Sequence, residues 1–205
     1  MAITINGSGT ITGITAGGYP DATVTADDLA ATLDLSGKTV TLPSGAAGKI
    51  FHDSQDVSGT GGYTFSDIPA TVREFRVSYH HLSISTTGYV VVYLGGGSLD
   101  TSSNYVGVRG YNGGGSGNGA SPSTSYQGFQ MTDYTSASKT YSGTFTCSKI
   151  DGNYWEINWH QHEQNSASQG FFTGYINLGG TLDRVDMSPS AGTWDNGTIA
   201  ITYIY

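Results

Sequence analysis

His160-Gln161-His162 is the pattern in this chain whose residue types and spacing point most directly to chemistry. Trp155, Ile157 and Trp159 precede it at every second position, so the segment reads as a strand with both imidazoles on the face opposite those apolar side chains. A threefold axis would gather three such pairs around an octahedral divalent metal. The plainer reading is a polar outer face or a subunit interface with hydrogen-bonded histidines. The adjacent His80 and His81 are expected on opposite faces, where they do not chelate by themselves. Asp183 and Asp186 lack the loop of further oxygen ligands that calcium needs, so pairing of Asp183 with Arg184, or a turn cap, is the expected role.

Enzyme templates fail on spacing. Gly37-Lys38-Thr39 has the ending of a phosphate-binding loop, but Thr32 stands where that loop needs its first glycine, and Val40-Thr-Leu-Pro reads as strand where a helix must follow. No serine has glycine at both −2 and +2, which removes the nucleophile elbow. A glycosidase needs two carboxylates facing across a sugar. Here the glutamates are Glu74, Glu156 and Glu163, all in strand patterns without a shared loop, and aspartates sit mostly at turns. No catalytic residue is assigned and no enzyme is expected. Cys147, the single cysteine, excludes an intramolecular disulfide and reads as a small core residue in Thr144-Phe-Thr-Cys-Ser-Lys.

Aromatic side chains beside small polar ones are the other lead. Tyr105, Tyr111, Tyr126, Tyr134 and Trp194 flank Gly- and Ser-rich connections, with Asn112, Asn118 and Asp195 beside them. Such sets stack on a sugar ring and hydrogen-bond its hydroxyls. Of these, Tyr105, Tyr111, Asn112, Asn118, Tyr126, Trp194 and Asp195 are the candidate glycan or receptor contacts.

The elements that must position them are short strands. With 31 Gly in 205 residues and charged residues at only 12%, a charge-rich helical architecture is not expected. Strands are expected at about 72–82, 88–95, 104–111, 126–131, 139–149, 153–163, 170–178, 181–188 and 197–204, a spacing that predicts an all-β, jelly-roll-like antiparallel β-sandwich over residues 49–205. Tyr111–Tyr126 is expected to be a loop, and Asp195-Asn196-Gly197 a turn before Ile199, Ile201 and Tyr203. The strands on either side of Ser188–Gly197 are expected to close one sheet, with the chain ending inside its fold. Ahead of them, residues 1–48 form a small module: extended pieces around Ile3, Ile5, Ile11 and Ile14, one short helix from Thr25 through Leu33, a hairpin over 33–42 and a hinge at 43–48. Its isolated isoleucines offset poorly a backbone entropy of roughly 1–2 kcal/mol per fixed residue, so it is expected to need a partner surface or sister chains.

Net charge is −8, with the few Lys and Arg scattered, so no nucleic-acid footprint is expected. No Lys or Arg precedes Lys38 and no apolar block of signal-peptide length occurs in the first forty residues, so no secretory signal is expected; nor is there a run long enough to span a bilayer.

Gly180-Thr-Leu-Asp-Arg-Val and Trp194-Asp-Asn-Gly-Thr-Ile-Ala-Ile-Thr-Tyr resemble the closing strands of a receptor-type β-sandwich domain of bacteriophage tail fibre proteins. Met1-Ala-Ile-Thr-Ile-Asn-Gly-Ser-Gly-Thr-Ile-Thr-Gly-Ile, Thr25-Ala-Asp-Asp-Leu-Ala and Thr32-Leu-Asp-Leu-Ser-Gly-Lys-Thr-Val-Thr-Leu-Pro-Ser-Gly45 are similar to the N-terminal module of that group. The likeness covers both ends and much of the middle. It implies a virion structural protein, a tail fibre or spike. Residues 1–48 would attach to other virion proteins, with Ile3, Ile5, Ile11 and Ile14 as the attachment contacts, and the sandwich would face a host glycan or protein. It also implies a homotrimer located in the virion. By analogy with fibres that hold iron through His-x-His pairs, a divalent metal at His160 and His162 is the one cofactor to consider, although the resembling domains do not generally show the pair. A head decoration without a receptor role and a free-standing carbohydrate-binding module are the alternatives.

Overall fold

The computed structural model describes residues 4–5, 11–12, 50–113, 117–130, 138–164 and 168–204; for 4–5, 11–12, 50–51, 117–126 and 204 it describes the backbone. The chain divides into two compact units, Met1–Ser44 and Gly45–Tyr205, against an expected division after residue 48. In the first unit, β1 (Thr4–Ile5) and β2 (Ile11–Thr12) pair antiparallel and set Ile5 opposite Ile11. Ile3, Ile14, the helix expected after Thr25, the 33–42 hairpin and the hinge at 43–48 lie outside the described residues.

The second unit is an antiparallel β-sandwich. Its larger sheet runs in the order β3 (Ile50–Asp56), β15 (Trp194–Ile204), β5 (Glu74–Ile84), β11 (Tyr141–Asp151), β12 (Tyr154–Glu163), β13 (Gln169–Asn177), β8 (Tyr105–Gly113) and β9 (Gly117–Tyr126). The other sheet runs β10 (Phe129–Gln130), β6 (Val90–Gly96), β14 (Arg184–Pro189), β4 (Tyr63–Phe65), with β7 (Ser98–Leu99) on β6. Alternation decides which side is dry. On β5 and β12 the sets Phe75, Val77, Tyr79 and Trp155, Ile157, Trp159 are buried, as their period of two requires. Register then aligns core rows across strands: Ile201, Val77, Phe145, Trp159 and Phe172 are successive neighbours. Opposite them Val90, Val92, Leu94, Val185 and Met187 of the smaller sheet belong to the same buried cluster. Each such side chain contributes about 1.5–3 kcal/mol when fully buried.

Four expectations are corrected. The Gly-rich tract Tyr111–Tyr126 is not a loop: β8 and β9 pair along it, from Tyr105 opposite Tyr126 to Gly113 opposite Gly117. Glycine and serine carry no alternation to read, yet their backbones ladder like any other. β3 and β4 lie where no strand was expected, because Ile50-Phe-His-Asp-Ser-Gln-Asp has a polar tail without an apolar period, and among the described strands β3 pairs with β15 alone. The two strands about Ser188–Gly197 belong to different sheets, β14 between β6 and β4, β15 between β3 and β5. Finally, Asp195-Asn196-Gly197 is no turn but the bulged start of β15, where register slips between Trp194 and Thr198.

Candidate functional site

The outer face of the larger sheet is where the polar leads converge. One row of paired residues runs Ser142, His162, Gln169, Asn112, Asn118 across β11, β12, β13, β8 and β9; the next runs Ser78, Thr144, His160, Phe171, Gly110, Ala120. His160 and His162 are exposed on this face, as their spacing requires, and Trp155 and Trp159 are buried behind them. The Gly-rich tract and the His-x-His pair, separate in sequence, meet here through strand order. Over β11, β12 and β13 lies a groove of about 490 Å³ lined by residues that include Thr144, His160, His162, Gln169 and Phe171.

Phe171 supplies an apolar surface in that groove. Its neighbour Phe172 takes the core position, so Phe171 must face out, and it is 38% exposed. Its ring lies across Gly110 of β8, where any Cβ would stand only 2.2 Å from the ring tip. Glycine at 110 is what lets the ring lie flat. Farther along the same face Tyr154 and Tyr175 are exposed with ring centroids 6.5 Å apart.

Underneath, a buried relay fixes β12. Trp159 Nε1 donates to the Tyr79 hydroxyl at 2.8 Å, and that hydroxyl donates to Gln161 Oε1 at 2.8 Å. Gly143 makes the room, since a Cβ there would lie 2.6 Å from the Tyr79 oxygen and 2.4 Å from the His160 carbonyl. Burial pushes the Tyr79 phenol far above its ordinary pKa, which keeps it a neutral donor. Gln161 is thus anchored inward between the two outward histidines.

On β5 the adjacent histidines do not diverge. His80 and His81 stack at 3.8 Å with planes 27° apart. β5 carries an extra residue here, His80 and His81 together opposing Ser142, and His81 adopts a φ of 54°. The bulge breaks the alternation that would have sent the rings apart. It is held by the His81 amide donating to Ser142 Oγ at 3.2 Å and by a 2.7 Å contact between His81 Nε2 and Gln164 Nε2. On the β5 side, Arg76 Nε donates to Oγ1 of Thr144, a residue that lines the groove, at 2.9 Å.

The remaining predicted contacts divide. Asn112 is exposed beside Gln169, and Asn118 pairs with it in register; Tyr126 lies opposite Tyr105 at the far end of the β8–β9 pair. Tyr111 is half-buried on the inward row, between Gly170 and Gly119. Tyr105 and Trp194 are fully buried and present no ring to a ligand. The Tyr105 hydroxyl accepts from the Leu94 amide at 3.0 Å and donates to the Asp100 carbonyl at 2.8 Å, tying β8 to the smaller sheet. Asp195 accepts from Ser83 Oγ in the β15 bulge. Tyr134 lies outside the described residues. Gln169, Phe171 and Thr144 were missed, although the doublet Phe171-Phe172 signals one aromatic on each face.

Among the described residues no group of three or more His, Cys, Asp or Glu could hold a metal ion. Asp183 pairs with Arg184 at 2.7 Å and also accepts the Gly97 amide, and these bonds hold its carboxyl below its ordinary pKa. Asp186 is buried between Thr64 and Ser188, which both donate to it, and burial raises its pKa. These two carboxylates therefore share no ligand set. What the outer face can do is stack, donate and accept. No protein-family model, curated protein or solved structure matches this chain.

Proposed function

We propose that this chain is a bacteriophage virion appendage, a tail fibre or spike, that attaches to the particle through residues 1–48 and contacts a glycan of the host surface with the outer face of its larger sheet. The observation that carries the glycan reading is the groove over β11, β12 and β13. It sets an exposed Phe171 ring beside His160, His162 and Gln169, with Asn112 next in the row. A pyranose has an apolar C–H face and a rim of hydroxyls, and an exposed aromatic beside amides and imidazoles matches both. The virion reading rests on the likeness of both chain ends to tail fibre proteins.

The test is host adsorption and glycan binding by the intact chain. Added in excess, it is expected to compete with phage particles for host cells and to label a printed glycan array. Substitution of Phe171 by Ala is expected to reduce both effects together. Incorporation into particles with unchanged adsorption after that substitution would instead favour a decoration protein without a receptor role.

A further inference from the structure

Four of the five histidines in the sequence, at 80, 81, 160 and 162, stand at one end of the larger sheet. They come from β5 and β12, on either side of β11, whose Ser142 and Thr144 lie between them in register. His52, the fifth, lies on edge strand β3 and bonds Thr202.

The charge around this groove is unlike that of the whole chain. The protein carries a net −8, yet among the described residues no Asp or Glu lines the groove. From β5, Arg76 is held against Thr144, and His80 and His81 stand at the bulge; Glu74 is held away from the groove by Ser148. From β12, Glu156 is engaged by Asn158 and lies four residues from His160, about 13 Å along the strand and beyond the physiological Debye length of about 8 Å. Glu163 is neutralised by Lys139 at 3.1 Å. β11 offers Ser142 and Thr144, and β13 offers Gln169, Phe171, Thr173 and Tyr175, none of them a carboxylate.

Resting on the reading of this face as a glycan-binding surface, we infer that its groove takes an acidic sugar, a carboxylate-bearing pyranose such as a hexuronic or sialic acid. The pyranose C–H face lies on Phe171. Its hydroxyls meet Gln169 and Asn112, and its carboxylate lies among His160, His162 and the Arg76 edge. The imidazole N–H groups and the guanidinium are donors with no carboxylate beside them in the groove, so they suit an anionic acceptor. A hydrogen bond to an ionised group is roughly twice as strong as one between neutral groups, which makes the carboxylate the specificity element.

The experiment is a glycan array printed with galacturonic acid and N-acetylneuraminic acid oligosaccharides and with neutral galactose oligosaccharides, probed with the intact chain. The acidic glycans are expected to give the strongest signals. The double variant His160→Asn, His162→Asn is expected to lose at least tenfold of the acidic signal with an unchanged near-UV circular dichroism spectrum, and Phe171→Ala to weaken binding to every printed glycan. Preference for the neutral oligosaccharides overturns the acidic-sugar inference and leaves the glycan-binding reading standing. An acidic signal undiminished in the double variant likewise overturns it. Absence of binding to any printed glycan overturns both.

Discussion

The Tyr79 hydroxyl donates to Gln161 Oε1 at 2.8 Å, beneath the strand that presents His160 and His162 to the outside. The same oxygen receives the Trp159 indole N–H, so one phenol satisfies two buried polar groups on β12. Tyr79→Phe leaves both without a partner at nearly constant volume. The expected cost is about 1–3 kcal/mol per stranded group. Urea unfolding followed by Trp fluorescence measures it, and a midpoint equal to that of the parent chain would show that the relay contributes nothing.

Two buried tryptophans allow the hydrogen-bond part to be separated from packing. Trp159 and Trp194 are both fully buried, but Trp194 Nε1 has no hydrogen-bond partner among the described residues. Trp→Phe removes similar volume at each site. Trp159→Phe is therefore expected to cost about 1 kcal/mol more than Trp194→Phe, the net worth of a typical hydrogen bond. Parallel denaturant titrations of the two variants supply the comparison.

Gly143 and Gly110 are both crowded, yet their substitution should differ in kind. At Gly143 a Cβ meets the His160 backbone carbonyl at 2.4 Å, which only a shift of the sheet relieves, and overpacking of this sort costs about 1–3 kcal/mol. At Gly110 the three nearest atoms all belong to the Phe171 ring, which can swing away. Gly110→Ala is expected to keep the thermal midpoint near that of the parent chain while displacing the ring from the groove. Melting curves paired with glycan binding would distinguish the two sites.

What the sequence allowed to be read follows from the same physics. Burial of Trp155 and Trp159 with His160 and His162 outside was legible because large apolar and polar side chains alternate there without a gap. The β8–β9 pair was not, since Gly113 through Ser125 offers almost no side chain whose direction could be inferred. Nor was the adjacency of Asn112 to Gln169 and of Gln169 to His162, which depends on β8 lying next to β13, a strand far from it in sequence. Tyr105 and Trp194 failed as surface candidates for a related reason. A flanking Gly or Ser says that a connection is near, but the strand register decides which way the ring turns.

Asp183 and Asp186, three residues apart, are expected to give opposite pH slopes. The Asp183 carboxyl is held low by Arg184 and Gly97, so its contribution is present above the unfolded value near 3.8 and is lost as pH falls through the folded value. Asp186 is raised by burial, with Ser188 and Thr64 opposing. Its neutral form is the better accommodated one; that contribution is complete below about 3.8 and is lost as pH rises through the folded value. Asp186→Asn is expected to gain relative stability on going from about pH 4 to pH 7, and Asp183→Asn to lose it on going from about pH 2 to pH 4. Urea midpoints for the three proteins across both ranges give the signs directly.

Cys147 is expected to be silent in the native state and fully reactive once the chain unfolds. It is wholly buried between Ile157 and Phe75, its partners on β12 and β5, and burial raises the thiol well above its ordinary pKa. Both access and thiolate formation are therefore blocked, and it is the thiolate that attacks a disulfide reagent. Reaction with an aromatic disulfide at pH 8 should proceed only as fast as the β5–β11–β12 ladder opens, and should reach one thiol per chain in denaturant. The rate in dilute buffer then reports the opening of the strands that carry the groove. Tyr79→Phe should accelerate it in proportion to the stability it removes, whereas Gly110→Ala should leave it unchanged. Rapid labelling of the parent chain in the absence of denaturant would show that these central strands do not form the closed core that their alternation dictates.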